Sequence, residues 1–203
     1  MIIGMCGLIG TGKDTVADIL VNNYNFVKVS FADKLKDGVA TVFSWDRDML
    51  EGTTDESRTW REQKDEFWSR ETNEHITPRL VLQMFGTDCM RNGFYNGIWV
   101  SIVKQQIINN PDKHFVIPDV RFPNEAKMIK EINGEVWRIC RGQDPQWFTS
   151  YVTDNIVPDD VHESEWQWAK LNFDCVIHND DTIEDLKNQV SNHLASNVHL
   201  SSA

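Results

Sequence analysis

Residues 7–15, which read GLIGTGKDT, place glycines, a lysine, an acid and a hydroxyl at a spacing suited to holding phosphate. Gly7, Gly12 and Lys13 fit the pattern G-x-x-x-x-G-K-[ST], in which a glycine-rich turn points backbone N–H groups at an anion. The lysine would reach the outer phosphates of a nucleoside triphosphate. An apolar run precedes the turn and apolar residues at helical spacing follow it, so the strand–loop–helix context that this pattern needs is predicted.

Asp14 stands where many nucleoside triphosphatases have the hydroxyl that coordinates Mg²⁺, and Thr15 follows one place later. The form G-K-x-T is known from nucleoside monophosphate kinases. A carboxylate can hold Mg²⁺ through water, because this ion keeps much of its hydration shell. Alternatively, Asp14 only complements the positive end of the following helix. Both interpretations stay open from the sequence.

A second group with chemical potential is FVIPDVR, in which an apolar strand is followed by Asp119 and Arg121. Ligands of open α/β sheets bind beyond the carboxyl ends of the strands, so we expect both side chains at the same edge as the glycine-rich turn. The chain has no N-K-x-D motif and no Glu after Asp119, which argues against a GTPase switch and an ATP-driven motor. The alternative is a turn residue followed by a surface cation.

Several other cations lie at or near predicted element ends or in the irregular stretches. Taken singly, each of them reads as a solvated surface charge. Together they could form the positive cluster that a donor triphosphate and an acceptor phosphate require. These candidates are Lys36, Arg70, Arg79, Arg121 and Arg141.

The elements that must position these residues are readable from apolar runs that alternate with helical patterns. Such alternation predicts an α/β fold of three layers around a five-stranded, mainly parallel sheet. A helix is predicted over residues 78–91, with Thr77 as its N-cap and Pro78 in its first turn. The predicted strands cover residues 1–6, 26–31, 114–119, 135–140 and 174–178.

Two stretches break the alternation and predict helical or loop excursions over the substrate site. Residues 44–76 are acidic and contain tryptophans, and residues 142–172 are polar. We expect the first on the acceptor side and the second as a lid-like segment. We expect residues 1–190 to form a single domain, followed by a frayed tail over 191–203.

Composition narrows the partners. The 203 residues carry a formal net charge of −11, which disfavours nucleic acid but leaves a small phosphorylated ligand possible, because such a ligand needs only a local cluster of Lys and Arg. The four cysteines are widely spaced and form no C-x-x-C, so we expect reduced thiols and a cytoplasmic location. No apolar run approaches a membrane span. Whether the protein forms a homodimer is left open.

The order of several short motifs resembles the deoxynucleoside monophosphate kinases of tailed bacteriophages, a P-loop kinase family. The motifs span residues 1 to about 190, in family order. The resemblance implies ATP-dependent, Mg²⁺-assisted phosphorylation of deoxynucleoside 5′-monophosphates, in the host cytoplasm if the protein is phage-encoded. The motifs that carry it are GKDT, FADKLKDGVA, RETN, PRLVLQMFGTD, WV at 99–100, VIPDVR and HND.

The resemblance also implies roles for individual residues. Lys13, Arg70 and Arg121 would be catalytic, Arg141 would lie on the donor side, and Trp99 could equally be a core residue. The residues implied to bind the donor phosphates are Gly10, Gly12, Lys13, Asp14 and Thr15. The metal candidates, acting through water if not directly, are Asp14, Thr15 and Asp119. The residues implied to surround the acceptor are Lys36, Arg70, Arg79, Gly86, Thr87, Trp99, Asp119, Arg121 and Glu125.

Two interpretations compete with this one. The first is a P-loop kinase of another small phosphorylated metabolite, such as phosphomevalonate or dephospho-coenzyme A. The second is a regulator that binds nucleotide without turning it over. The segment HESEW at residues 162–166 lies where a mobile lid is expected, but His162 could equally be an ordinary surface histidine.

Overall fold

The computed structural model describes residues 1–159, 161 and 163–200, with side chains except those of 163, 164 and 197–200. The chain divides into two compact units. One contains Met1–Ser30 together with the described residues from Lys104 onward, and the other is Phe31–Val103. That residues 1–190 act as a single domain stays a prediction.

The first unit is built around a five-stranded sheet with the strand order β2-β3-β1-β4-β5. All four strand pairings are parallel, and each strand lies inside one of the five predicted ranges, so the predicted α/β sheet is confirmed. The strands are β1 (Ile2–Cys6), β2 (Phe26–Lys28), β3 (His114–Ile117), β4 (Glu135–Cys140) and β5 (Cys175–His178).

Helices connect the strands and make up most of the second unit. The α-helices of the described chain are α1 (Lys13–Tyr24), α2 (Asp33–Phe43), α3 (Asp55–Glu62), α4 (Glu66–Thr72), α5 (Pro78–Gln83), α6 (Ile98–Ile108), α7 (Pro123–Glu131), α8 (Gln146–Asp154), α9 (Glu163–Trp166) and α10 (Ile183–Leu200). A π-helical segment covers Met84–Asn92 and a 3₁₀ turn covers Gln167–Lys170. None of the helices within this described part is long and apolar enough to cross a membrane.

Alternation along β1 shows why the first unit has three layers. Ile3 and Met5 point into a core shared with α1 and α10. Gly4 points to the opposite face, where an added Cβ would lie 2.3 Å from Cδ1 of Ile129 in α7. Successive residues of a strand face opposite sides of its sheet, so β1 is covered by helices on both faces. Its buried C-terminal end is therefore a fixed base for the loop that follows.

The second unit has a core of its own. Val39, Leu50, Ile76 and Val81 are buried there and are surrounded by aromatic side chains. The ring of Phe43 stacks on Trp45 with 4.8 Å between centroids, and Trp45 meets Trp60 edge-on. The tryptophans of residues 44–76 thus pack against this core, and the predicted helical or loop excursion contains two helices, α3 and α4.

Three boundaries differ from those predicted. β2 ends at Lys28 because the chain turns so that Ser30 can bond Asp119. Over residues 78–91, Thr77 caps the helix as predicted, but α5 ends at Gln83 and a π-helical segment continues it. Of the frayed tail expected over 191–203, residues 191–200 are instead part of α10, in which Leu194 packs against the core, and residues 201–203 lie outside the described residues.

Candidate active site

The glycine-rich turn lies between β1 and α1 and is held from within and from a distant strand. Thr11 is buried, and its hydroxyl donates a hydrogen bond to the carbonyl of Leu8 at 2.9 Å. Nδ2 of Asn179, just after β5, donates to the carbonyl of Thr11 at 3.0 Å. The turn is therefore fixed by a bond within itself and by a bond from the end of β5.

Two of the three residues that match the phosphate-loop pattern are glycines for steric reasons. A Cβ on Gly7 would lie 2.4 Å from the carbonyl oxygen of Ile139 in β4. Gly12 has φ 95°, which L side chains rarely adopt, and a Cβ there would lie 2.3 Å from Nδ2 of Asn179. Gly12 also precedes the first residue of α1, whose free N–H groups form the positive end of the helix.

Lys13 turns back over this loop. Its Nζ donates to the carbonyls of Gly7 and Leu8, each at 2.8 Å. Burial lowers the pKa of Lys13 from its ordinary value, and the nearby charge of Arg121 lowers it further, whereas Glu165 and Asp14 act in the opposite direction. A partly buried ammonium beside helix-end N–H groups is a site of positive potential suited to an anion.

Asp14 and Thr15 lie exposed in the first turn of α1. The carboxylate of Asp14 accepts a hydrogen bond from Nζ of Lys28 at 2.7 Å, and Lys28 is also 3.6 Å from Asp18. Lys28 is the last residue of β2, so a strand end fixes the position of this acid. Neither interpretation of Asp14, as a magnesium-linked acid or as a helix charge, is decided by this contact.

The segment after β3 is tied to β1 and to the start of α7. The N–H of Val120 donates to the carbonyl of Met5 at 3.1 Å. Asp119 accepts a hydrogen bond from the hydroxyl of Ser30 at 2.5 Å. Glu125 is 4% exposed, and its Oε2 accepts from the backbone N–H groups of Arg121 at 2.7 Å and Phe122 at 3.0 Å. These bonds fix the backbone on both sides of the predicted site residues.

Arg121 points its guanidinium toward Glu165 in α9. Its Nη1 donates to Oε1 of Glu165 at 2.8 Å. Lys13 and Arg121 both belong to the first unit and are close enough for the charge of Arg121 to act on Lys13, and Asp119 precedes Arg121 by two residues. His162 lies outside the described residues.

The predicted acceptor residues Lys36, Arg70, Arg79, Gly86, Thr87 and Trp99 belong to the second unit. Arg70 is exposed beside the ring of Phe67, and Arg79 is exposed and paired with Glu62 at 2.7 Å. Lys36 is mostly buried and paired with Glu51 at 2.6 Å.

Trp99 has the core position that the sequence left as its alternative. It is 5% exposed, and its indole N–H donates to the carbonyl of Gly86 at 3.1 Å. Gly86 is itself buried, and a Cβ there would lie 2.9 Å from Cδ2 of Leu35. Thr87, the next residue, is exposed. Thr87 is therefore the member of this group with an accessible side chain.

The end of β4 carries Arg141, which is exposed. Next to it, the N–H of Gly142 donates to Asp180 at 2.6 Å. Asn179 and Asp180 thus connect the end of β5 to the glycine-rich turn and to the end of β4. Arg141 stands at the same edge of the sheet as the glycine-rich turn, because carboxyl ends of parallel strands share an edge.

Sequence reasoning missed the residues that hold the predicted ones in place. Lys28 and Ser30, at the end of β2, bond Asp14 and Asp119. Asn179 bonds the glycine-rich turn. Arg138 donates from Nη2 to both carboxylate oxygens of Asp144 at 2.6 Å. Only Asn179 had a signal in the sequence, as part of the motif HND, and that signal gave no role.

Two of the four thiols, those of Cys6 and Cys140, are buried at the ends of strands β1 and β4. Burial raises the pKa of Cys6 to about 12, so it stays protonated at the end of β1. All four cysteines are free, and Cys6 and Cys140 are buried, in agreement with the expected reduced thiols. Cys89 is exposed.

Residues 48–190 match the deoxynucleotide monophosphate kinase family. A protein of Acanthamoeba polyphaga mimivirus, whose name provisionally gives it as a deoxynucleotide monophosphate kinase, is 31% identical over 94% of both chains. The deoxynucleotide monophosphate kinase of Enterobacteria phage T4 is 22% identical over 95% of this chain and 98% of its own. A dephospho-CoA kinase from Campylobacter jejuni is similar in structure, with a TM-score of 0.44 and 15% identity over 96% of both chains.

The TM-score of that last comparison is too low to bear on the substrate. The family match and the mimivirus relative each extend over most of the chain. By these two similarities the chain belongs to the deoxynucleotide monophosphate kinase family.

Proposed function

We propose that this protein transfers the γ-phosphoryl group of ATP to a deoxynucleoside 5′-monophosphate and releases ADP and the deoxynucleoside diphosphate. Membership of the family supports the reaction class. The observation that carries the proposal is the preformed loop over which Lys13 lies, with its amine bonded to the carbonyls of Gly7 and Leu8. A triphosphate bound there would give Nζ charged oxygens as better hydrogen-bond acceptors than these carbonyls.

The chemistry required of the protein is positioning and charge neutralisation. The acceptor phosphate is mostly a dianion near neutral pH, so its oxygen can attack the γ-phosphorus without a strong general base. Lys13 would neutralise charge on the β- and γ-phosphates, while Arg121 and Arg70 would stabilise the group in transfer. Gly10, Gly12 and Thr15 would contribute backbone N–H groups and a hydroxyl around the donor.

The side chains near the loop suit magnesium by their chemistry. Asp14, Thr15 and Asp119 offer oxygen atoms, which are the ligands that Mg²⁺ prefers. No group of three acidic, histidine or cysteine side chains able to hold a metal is present in the described part of the chain. The two carboxylates and the hydroxyl of Asp14, Asp119 and Thr15 fit Mg²⁺ as it binds in kinases, through one or two carboxylates plus substrate phosphates and water. When bound, Mg²⁺ would neutralise charge on the phosphates.

The acceptor would be held by arginines, because a guanidinium matches a phosphate with two parallel hydrogen bonds. Arg70 and Arg79 are exposed, as this role requires. Thr87 and Lys36 would add further contacts to the acceptor. Lys36 would first have to give up its hydrogen bond to Glu51. Asp119 and Glu125 would act by fixing the backbone and hydroxyl groups around Arg121, and Gly86 and Trp99 by shaping the second unit. Arg141 remains the donor-side candidate.

The setting that we propose follows from charge and family. The family makes dNMP and ATP the proposed partners, and the net charge of −11 disfavours nucleic acid; the reaction would take place in the cytoplasm, which is that of the host if the protein is phage-encoded. Neither nucleic acid nor a membrane is needed for it. A homodimer stays an open prediction.

An acceptor screen tests this proposal. The protein is incubated with Mg-ATP and each of dAMP, dCMP, dGMP and dTMP, then with the four ribonucleotides, phosphomevalonate and dephospho-coenzyme A. We expect a diphosphate product from at least one deoxynucleotide, with dGMP or dTMP preferred over its ribose counterpart. Turnover of phosphomevalonate or dephospho-coenzyme A alone would contradict the proposed substrate but not the proposed kinase activity. ATP binding without turnover of any acceptor would indicate a regulator.

A further inference from the structure

The ion pair between Arg121 and Glu165 joins a predicted phosphate ligand to an acid 44 residues away. The side chain of Arg121 is 49% exposed and that of Glu165 only 21%. Solvent can therefore reach the guanidinium while the carboxylate is partly enclosed. An incoming anion has access to the arginine without prior unfolding of the segment that carries the acid.

The segment around Glu165 is held firmly enough to keep this acid in place. The indole N–H of Trp166 donates to the carbonyl of Val161 at 3.1 Å. Trp168 is 1% exposed and packs against the ring of Phe148. The guanidinium of Arg138 lies 4.4 Å from the centre of that same ring. Glu165 is thus presented to Arg121 by a packed scaffold and not by a free loop.

The electrostatics of Lys13 show that the three groups form one set. Arg121 lowers the pKa of Lys13 and Glu165 raises it, so the acid partly neutralises both cations. A phosphate bound by Lys13 and Arg121 would do the same work with more charge and more acceptor oxygens. The carboxylate and the phosphate are therefore alternatives for the same guanidinium.

We infer that Glu165 is an exchangeable counter-ion of Arg121, which pairs with the arginine until a nucleotide phosphate displaces it. This role rests on the proposed function, in which Arg121 binds phosphate. Its consequence is a lower affinity for every phosphate ligand of Arg121, because binding must first break the pair.

The test compares binding constants in Glu165→Gln, which keeps the shape of the side chain and removes its charge. Dissociation constants for ADP and for dGMP are measured by calorimetry in wild type, Glu165→Gln, Arg121→Ala and the double variant. We expect tighter binding of at least one of the two nucleotides in Glu165→Gln, by about 2- to 5-fold, which is the range of a partly exposed ion pair. In the Arg121→Ala background the same substitution should change that constant by less than about 1.5-fold.

Glu131→Gln is the matched control, because it removes an equal charge from an exposed pair with Lys104 at 2.9 Å. It should leave both constants unchanged. Glu165→Asp keeps the charge on a shorter side chain, so its nucleotide dissociation constants should lie between those of wild type and Glu165→Gln. This variant replaces Glu165→Gln in the test if Glu165→Gln unfolds. If Glu165 only supports the local structure, its replacement should weaken nucleotide binding. Weaker or unchanged binding in the folded variant, or tightening that persists without Arg121, would overturn the inference.

The binding readout separates this inference from the proposed function. If wild type phosphorylates no deoxynucleotide but Glu165→Gln still tightens ADP binding through Arg121, the substrate is wrong and the counter-ion role stands. If wild type phosphorylates deoxynucleotides but the dissociation constants of the four proteins show no coupling between Glu165 and Arg121, the proposed function stands and the counter-ion role is wrong.

Discussion

Replacing Lys13 by methionine separates what its charge does for phosphate from what it does for the fold. The ammonium donates two hydrogen bonds to loop carbonyls at 2.8 Å. Two bonds from a charged donor would contribute about 3–6 kcal/mol if nothing opposed them. The partial burial of an ion costs several kcal/mol, and the lowered pKa of Lys13 shows that this cost is felt. We therefore expect the free energy of unfolding to change by less than about 1 kcal/mol.

The lowered pKa also sets a pH dependence. Between the pKa of Lys13 in the folded protein and its ordinary value of 10.5, the unfolded chain binds a proton that the folded protein releases. The free energy of unfolding contributed by Lys13 therefore rises with pH through this window and is lowest below it. Relative to Lys13→Met, wild type should gain stability as the pH approaches 10.5 from below.

Activity should respond far more than stability. Loss of one positioned charge at the phosphates should lower kcat by about 10²-fold or more. The assay couples ADP formation to NADH oxidation, and urea denaturation at several pH values gives the free energies. Lys104→Met, which removes an exposed amine paired with Glu131, is the control and should keep wild-type kcat. A folded Lys13→Met protein with near wild-type turnover would refute the role of the loop.

Four further substitutions test single parts of the site. Gly12→Ala should lower the free energy of unfolding by about 1–3 kcal/mol, because φ is 95° and the new Cβ meets Asn179. At Gly10 the new Cβ meets open space, so Gly10→Ala should cost only the strain of its positive φ, about 1–2 kcal/mol, in the same urea titration. Asp14→Asn should raise the Mg²⁺ concentration for half-maximal rate; an unchanged concentration would make Asp14 a helix charge alone. Arg70→Lys should lower kcat/KM for the deoxynucleotide by about 10- to 100-fold and leave the dissociation constant of ATP unchanged, since the ammonium cannot form the paired hydrogen bonds; equal loss for both would argue against an acceptor role.

The sheet could be predicted from the sequence because its information is local. Each strand is a short apolar run between turns. The position of the glycine-rich turn in the sequence predicts both the end of β1 and the start of α1. Gly7 and Gly12 are required by contacts that only the structure shows, but a motif with fixed spacing records that requirement in the sequence.

The π-helical segment Met84–Asn92 could not be predicted, because its cause is tertiary. The carbonyl of Gly86 accepts a hydrogen bond from the indole of Trp99, and the residue is pressed against Leu35. Such competition for a helical carbonyl leaves no pattern in the local sequence. The core formed around Trp45, Trp60 and Trp68 could not be predicted for a similar reason, since these rings pack on one another and on residues of other helices in the second unit.

The pairing of site residues was also beyond the sequence. Asn179 bonds Thr11 across 168 positions, and Arg121 bonds Glu165 across 44. Motifs identified Lys13, Asp119 and Arg121, which carry recognisable chemistry. They gave no account of Lys28, Ser30 and Asn179, whose side chains only hold the others in place.

The most direct test of the central claim follows one phosphorus atom. The protein is incubated with Mg²⁺, ATP labelled with ³²P at the γ-position and dGMP or dTMP, and the nucleotides are separated by thin-layer chromatography. We expect the label in the β-phosphate of the deoxynucleoside diphosphate with wild type, and its rate of appearance should be lower by about 10²-fold or more with Lys13→Met. Label that appears only in inorganic phosphate, or that stays in ATP while both nucleotides bind, would contradict a deoxynucleotide kinase.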